Sequence, residues 1–201
     1  MTDPHAVARE LVRAYHREER EPSAKLLDRA LGIGPADPAR TDEELLTEAF
    51  PSLPTPYPIC RGFFCHTAPT ADDLVVDLGC GSGRLVLYGA LLTPARLCGI
   101  ELDRGRFEVA SRAVEQLGLS NATILRGDIL EQDWSDGTVF YAFRPLPAET
   151  EPVVVDRLHE LGRRRAITIG AYRMLPNLFD PAVFESTGRG DLRIYRSHAA
   201  P

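Results

Sequence analysis

The sequence has 201 residues, a formal net charge of -6 and 44% hydrophobic residues, as expected for a soluble globular protein with one main domain. This net negative charge argues against nonspecific nucleic-acid binding. The opening "MTDPHAVARE" lacks the build of a signal peptide, and the longest apolar run, Leu85 to Leu92, is too short to span a bilayer. We therefore expect a cytoplasmic protein with neither a membrane nor a nucleic-acid partner.

The four cysteines show no paired spacing. The segment "CRGFFCH" brings Cys60, Cys65 and His66 together, but only three ligand types cluster there and aromatic residues lie between them. The sequence therefore predicts free, buried thiols and no metal site.

Residues 1–70 are predicted to form a helical cap or extension. Apolar stripes between charged faces indicate a helix over residues 4–31, and a capping pattern at the start of "TDEELLTEAF" indicates a second over 41–50. The prolines of "PSLPTPYP", residues 51–58, favour an extended or turned segment because they remove backbone donors. A short helix is expected to follow it.

Strands and helices alternate from Leu74 onward. This alternation predicts a parallel sheet that is covered on both faces. The tail over 182–198 has two alternating runs about a Gly-x-Gly turn, which is typical of an antiparallel hairpin. The expected fold class is α/β: a doubly wound Rossmann-like sheet over residues 71–201, mostly parallel, with a C-terminal antiparallel hairpin and the N-terminal helical cap. The predicted strands cover 74–78, 96–102, 122–128, 137–143 and 165–171.

The segment "VVDLGCGSG", residues 75–83, is the strongest local signal in the chain. A strand that runs through Gly-x-Gly-x-Gly into a helix brings backbone amides and a positive helix end to the carboxyl edge of the sheet. A dinucleotide loop would have its third glycine at position 84, but Arg84 stands there and Gly83 comes one residue early. Because glycine-rich turns also occur by chance, the motif alone does not establish a ligand site.

Acids near the same edge of the sheet favour a ligand. Glu101, 18 residues beyond Gly83, stands where a carboxylate would accept hydrogen bonds from a ribose diol. Asp128 could accept from an adenine amino group while Ile129 packs on the ring, and Asp77 could meet an amino-acid ammonium. Singly, such acids are more often helix caps or turn acids. Jointly they describe a ligand with an ammonium, a ribose and an adenine but no pyrophosphate, which is S-adenosyl-L-methionine.

The segments "VVDLGCGSG", "GIELD" and "LRGDIL" resemble the first three motifs of class I S-adenosylmethionine-dependent methyltransferases. The segment "PTP", Pro54 to Pro56, is similar to the group that holds Dot1-type and archaeal protein lysine methyltransferases, in which it folds over the methionine end of the cofactor. A rigid connector is an equally good reading of this proline segment. The resemblance implies S-adenosyl-L-methionine as cofactor, S-adenosyl-L-homocysteine as product, and cofactor binding by Thr55, Tyr57, Asp77, Gly79, Gly81, Gly83, Glu101, Asp128 and Ile129.

The acceptor side departs from that group. Where the group has an asparagine or "YLLPE"-like residues, this chain has "FYAFRPLPAE". Tyr141, Phe143 and Arg144 are therefore the candidate acceptor-site residues, although alternate aromatic residues in a strand also suit a core. His66 and His159 are weaker candidates for a general base, since each is read as a helix histidine with an ordinary structural partner.

The expected reaction is in-line methyl transfer to an amine nitrogen of a protein or peptide side chain. An enzyme of this kind acts mainly by placing the nucleophile in line with the electrophilic methyl carbon. N- or O-methylation of a small-molecule metabolite is the close alternative. A noncatalytic Rossmann-type binding protein and an NAD-dependent oxidoreductase remain as weaker alternatives.

Overall fold

The computed structural model describes residues 3–34, 54–143, 149–174, 177–187 and 190–199. The helix that was expected over 41–50 and the acceptor-site candidate Arg144 lie outside the described residues.

A seven-stranded sheet forms the centre of the described chain. Its strands are β1 (Leu74–Leu78), β2 (Arg96–Glu101), β3 (Ala122–Arg126), β4 (Val139–Phe143), β5 (Thr168–Tyr172), β6 (Phe184–Thr187) and β7 (Leu192–Ser197). They are arranged in the order β3-β2-β1-β4-β5-β7-β6. Strands β1 to β5 pair in parallel, whereas β7 is antiparallel to both β5 and β6. The predicted α/β class with a C-terminal antiparallel hairpin is confirmed.

Six helices accompany the sheet in the described residues. They are α1 (Pro4–His16), α2 (Ala24–Ala30), α3 (Tyr57–Thr67), α4 (Arg84–Leu92), α5 (Arg104–Gln116) and α6 (Thr150–Arg164). None of these described helices combines the length and the apolar character that a membrane crossing requires.

The prediction of one continuous helix over residues 4–31 is wrong, because the chain breaks between α1 and α2. Glu18 adopts a positive φ of 61°, which a right-handed helix does not allow. Pro22 lacks the amide that a continuing helix would need, and the Ser23 side chain then caps α2 by accepting from the amide of Leu26.

The sheet is buried on both faces, as the apolar strands predict. Helices α1 to α5 contribute to a hydrophobic core on one face, whereas α6 packs in a second core on the other face. The strand order reverses between β1 and β4, and in open parallel sheets ligands bind beside the carboxyl ends of strands at such a reversal. This reversal lies where "VVDLGCGSG" leaves β1, and we term the carboxyl edge of the sheet at this point the crevice.

Helix α3 is part of the same core as the sheet, although it lies in the predicted 1–70 extension. The ring of Phe63 packs edge-on against Tyr141 of β4, with 5.2 Å between the ring centroids. A side chain at Gly170 of β5 would overlap the Phe63 ring, so α3 and β5 approach closely. The boundary at residue 70 stays a prediction.

Replacing Gly170 with alanine is expected to destabilise the protein by about 1–3 kcal/mol, because the added methyl group forces Phe63 to move within a packed core. The measurement is the free energy of unfolding in urea. Gly62→Ala is the matched control on α3, where the new methyl group would only touch Leu192 at 3.4 Å and helix propensity would improve. A Gly170→Ala protein as stable as the parent would show that α3 does not depend on this close approach.

Candidate functional site

The glycine loop follows β1 and is attached to β2 by its backbone. The amides of Gly79 and Cys80 donate to the carbonyl of Ile100 at 3.0 and 2.9 Å. Gly79 and Gly81 have positive φ values of 88° and 57°, and a Cβ atom on either would meet nothing within 4 Å. The backbone at these two glycines therefore borders open space that a ligand can approach closely.

Gly83 has a different role in the loop. A Cβ atom at this position would lie 3.0 Å from the Cβ of Ala110 on α5. The absence of a side chain at Gly83 therefore allows the loop to pack against α5, and it does not open space for a ligand.

Glu101 ends β2 with a carboxylate that is only 6% exposed. Its Oε2 accepts from the amide of Gly81 at 2.7 Å, and its Oε1 accepts from the amide of Asp103 at 2.9 Å. An ionised carboxylate has about four acceptor positions, so Glu101 retains capacity for two hydroxyl donors. This geometry suits a ribose diol.

The next residue, Leu102, is 67% exposed and was not recognised from the sequence. An exposed leucine beside the Glu101 carboxylate is an apolar surface on which an adenine ring can pack. The sequence feature that could have identified Leu102 is its position as an apolar residue directly after the acid that ends a predicted strand.

Asp77 lies in β1 with only 4% of its surface exposed. Burial and, to a smaller extent, the nearby Glu101 carboxylate raise the pKa of Asp77 to about 8. Among the described residues no hydrogen-bond donor or cation contributes to this pKa. A ligand cation would favour the ionised carboxylate, so the site is suited to an ammonium group.

The loop after β3 contains the two residues that were predicted to bind adenine. Asp128 Oδ1 accepts from the amide of Leu130 at 2.8 Å, and Ile129 is buried. The carbonyl of Ile129 accepts from Trp134 Nε1 at 2.8 Å and from Arg157 Nη1 at 3.0 Å. Arg157 of α6 also stacks on the Trp134 ring at 3.9 Å, so these two residues support the loop. Neither residue was recognised from the sequence as part of the site.

Thr55 and Tyr57 point to different neighbours. Thr55 is buried, and its hydroxyl lies 3.3 Å from the hydroxyl of Tyr141. Tyr141 is the register partner of Asp77 in the neighbouring strand, so Thr55 lies on the same face of the sheet as Asp77. Tyr57 instead donates its hydroxyl to Asp28 on α2 at 2.7 Å.

Phe143 lies at the end of β4, where a methyl acceptor would approach. The Phe143 ring is half-buried, and its centroid lies 4.6 Å from that of Tyr172 at the end of β5. Tyr141, by contrast, is fully buried in the core, with its hydroxyl beside Thr55. Of the three acceptor-site candidates, Phe143 is therefore the described residue that lies at the carboxyl edge with partial exposure.

The two histidine candidates have structural partners. His159 is buried, its Nδ1 lies 2.9 Å from the carbonyl of Val155, and its Nε2 accepts from the amide of Asp180 at 2.9 Å. His66 is exposed on α3, with its Nδ1 2.6 Å from the carbonyl of Gly62.

The described residues contain no group of three His, Cys, Asp or Glu side chains that could hold a metal ion. Cys60 and Cys80 are buried and Cys98 is half-buried. The prediction of a buried thiol is wrong for Cys65, which is exposed on the solvent side of α3 with its sulfur 3.7 Å from His16 Nε2.

The raised pKa of Asp77 makes the stability of the ligand-free protein depend on pH. The folded state holds a proton on Asp77 from about pH 4 to about pH 8, where the unfolded chain has lost it, so stability falls as the pH rises through this range. Asp77→Asn is expected to be more stable than the parent by several kcal/mol at about pH 9, with a much smaller difference at about pH 5.

Thermal unfolding across this pH range measures the difference between the two proteins. Asp72→Asn is the control, because Asp72 is exposed near the start of the same strand and should leave the pH profile unchanged. A constant difference between Asp77→Asn and the parent at all pH values would contradict the raised pKa.

Comparison with known proteins identifies a similar domain. A family model described as a methyltransferase domain matches residues 75–161. A protein-lysine N-methyltransferase from Saccharolobus islandicus is 33% identical over 95 residues, which cover 46% of this chain and 59% of that relative. The chain thus matches little more than half the length of this curated relative.

Two solved structures have a similar fold. An RNA methyltransferase from Salinibacter ruber in complex with S-adenosyl-L-homocysteine has a TM-score of 0.56 at 24% identity, with 72% of this chain and 92% of that chain covered. An S-adenosylmethionine-dependent O-methyltransferase from Thermotoga maritima has a TM-score of 0.53 at 13% identity, with 79% and 71% covered. At these identities the likeness establishes the fold alone. The family model thus matches a methyltransferase domain over residues 75–161, within a fold that these two structures share.

Proposed function

We propose that this chain transfers the methyl group of S-adenosyl-L-methionine to an amine nitrogen of a protein or peptide side chain. The part of this proposal that concerns the methyl donor rests on three features that lie together at adjoining strand ends. These are the buried Asp77, the open backbone at Gly79 and Gly81, and the Glu101 carboxylate.

Each of these features has a chemical task in the proposal. Asp77 binds the ammonium of the cofactor's amino-acid end, since a buried carboxylate without a cation gains most from one. The Glu101 carboxylate accepts hydrogen bonds from the ribose hydroxyls. Asp128 accepts from the adenine amino group, and Leu102 and Ile129 supply apolar contacts to the ring.

The bound sulfonium supplies an electrophilic methyl carbon. The chain's own contribution is to hold the acceptor nitrogen in line with that carbon and to exclude water from the approach. Phe143 and Tyr172 offer two adjacent aromatic rings at the ends of β4 and β5, and aromatic rings attract a passing cation. A lysine side chain suits such an approach: its ammonium loses one proton to solvent, the neutral amine then forms the new N–C bond as the S–C bond breaks, and S-adenosyl-L-homocysteine leaves.

Two further observations support a protein acceptor. A protein-lysine N-methyltransferase shares 33% identity with this chain over 95 residues that include part of the methyltransferase domain. The net charge of -6 favours the encounter with basic peptides and disfavours polyanions.

A small-molecule acceptor is the second candidate, because an S-adenosylmethionine-dependent O-methyltransferase is among the similar structures. The chain also has a cavity of about 590 Å³ at α2, but its described lining contains none of the residues assigned to the methyl-donor site.

The expectation of no nucleic-acid partner lacks support from the comparisons, since an RNA methyltransferase is among the similar structures. RNA is therefore retained as an outcome of the acceptor assay.

Glu101→Ala is expected to weaken binding of S-adenosyl-L-methionine at least tenfold, or by about 1.4 kcal/mol, because the ribose loses its acceptor and Gly81 loses a hydrogen-bond partner. Calorimetric titration measures the dissociation constant. Glu115→Ala is the matched control, with an exposed glutamate on α5. Unchanged affinity in a folded Glu101→Ala protein would remove Glu101 from the ribose role, and tight binding of NAD alone would contradict the cofactor.

A labelled-methyl transfer assay on cell lysate tests the acceptor. The lysate is separated afterwards into protein, RNA and small-molecule fractions, a sample without the protein gives the background, and Glu101→Ala is expected to transfer less label at a low cofactor concentration. We expect label in the protein fraction as N-methylated side chains. Label in the small-molecule fraction would favour the second candidate, label in RNA would overturn the protein proposal, and no transfer by a protein that binds the cofactor would indicate a noncatalytic binding protein.

A further inference from the structure

Three segments that are distant in sequence meet at Arg84, the first residue of α4. Its Nε and Nη2 donate to the two carboxylate oxygens of Asp28 on α2, at 3.1 and 2.8 Å. Its Nη1 donates to the carbonyl of Thr55 at 2.9 Å. The guanidinium also lies over the ring of Tyr57, 4.6 Å from the centroid. All three guanidinium nitrogens therefore have partners, in the two-pronged geometry that makes arginine–carboxylate pairs strong and directional.

This ion pair is sheltered from solvent. The side chain of Arg84 is 12% exposed and that of Asp28 is 24% exposed. Exposed pairs of this kind contribute little, but a sheltered two-pronged pair fixes the positions of both partners. Asp28 is fixed further by the hydroxyl of Tyr57, which donates to the same Oδ1 atom at 2.7 Å. The side chain of Arg84 thus connects α2 to the helix that begins directly after the glycine loop.

The Thr55 carbonyl belongs to a short segment, Pro54–Pro56, that we term the strap. Proline has no backbone amide, so the two prolines of the strap cannot donate to the rest of the protein. The side chain of Thr55 lies 3.3 Å from the hydroxyl of Tyr141, and its carbonyl accepts from Arg84. These two contacts hold the strap on the face of the sheet where Tyr141 and Asp77 are register partners.

We propose that the Asp28–Arg84 pair is a positioning element of the cofactor site, and that it acts by holding the strap over the Asp77 side of the crevice. The inference rests on the proposed function, in which Asp77 binds the amino-acid end of the cofactor. Helix α2 thereby contributes to cofactor affinity although it lies outside the crevice. Arg84, whose presence excludes the dinucleotide fingerprint, gains a specific role in an adenosyl site.

This role has a signature that a purely structural role lacks. A strap on the Asp77 side affects only ligands that carry the amino-acid end of the cofactor. S-Adenosyl-L-homocysteine has this end, whereas 5′-methylthioadenosine has the adenosine and the sulfur but no amino acid. Loss of the Asp28–Arg84 pair should therefore weaken the binding of S-adenosyl-L-homocysteine and leave the binding of 5′-methylthioadenosine unchanged.

The experiment is calorimetric titration of both ligands into the parent, Asp28→Asn, Arg84→Gln and the double variant. In each single variant, the dissociation constant of S-adenosyl-L-homocysteine is expected to rise about fivefold or more, whereas that of 5′-methylthioadenosine should change by less than about twofold. The double variant should resemble the single variants, because the two side chains act through one contact. Arg61→Gln is the matched control, since Arg61 pairs with Glu21 in the same N-terminal region and does not contact the strap.

Equal weakening of both ligands, or unchanged affinity for S-adenosyl-L-homocysteine, would overturn the inference. If Arg84→Gln does not fold, Asp28→Asn provides the test, because it replaces one atom of the side chain and keeps its shape. A parent protein that binds neither ligand would instead contradict the proposed function. The two failures are thus distinguishable.

Discussion

The carboxylate of Glu101 determines the geometry of the site through two backbone hydrogen bonds. One comes from Gly81 in the loop after β1, and the other comes from Asp103 at the start of α5. Asp103 in turn caps α5 by accepting from the amide of Arg106 at 2.8 Å. Because hydrogen bonds to a charged acceptor are stronger than neutral ones, a single buried side chain at the end of β2 fixes both the glycine loop and the following helix.

No cation among the described residues lowers the pKa of Asp77, whereas Arg106 Nη1 lies 4.0 Å from Glu101 Oε1. Asp77 and Glu101 are both buried, and their proximity contributes to the raised pKa of Asp77. Only Glu101 has hydrogen-bond donors around it within the described chain. This asymmetry separates two roles that the sequence presents as equivalent acids. Glu101 accepts two backbone hydrogen bonds that hold the loop and the start of α5, whereas the burial of Asp77 disfavours its ionised form.

The part of the fold after Leu74 could be predicted from sequence because its signals are local: apolar strands, glycine turns and helix stops. The bounds of β1 were predicted to the residue, and acids near the carboxyl edge of the sheet indicated the candidate site. The role of Arg84 could not be predicted, since its partners Asp28 and Thr55 lie 56 and 29 residues away. The orientation of the Tyr57 side chain could not be predicted either, because its hydroxyl donates to Asp28 on the distant helix α2. Contacts of this kind leave no periodic pattern in the chain.

Strand β7 lies between β5 and β6 although it is later in the chain than both. During synthesis, β5 therefore keeps an unpaired edge until residues 192–197 have been made. The neighbouring residues Ile194 and Tyr195 of β7 point to opposite faces, and each is buried in a different one of the two cores. Neither core is complete before this strand arrives. Both sides of the sheet therefore depend on the same late-synthesised strand for their last buried side chains.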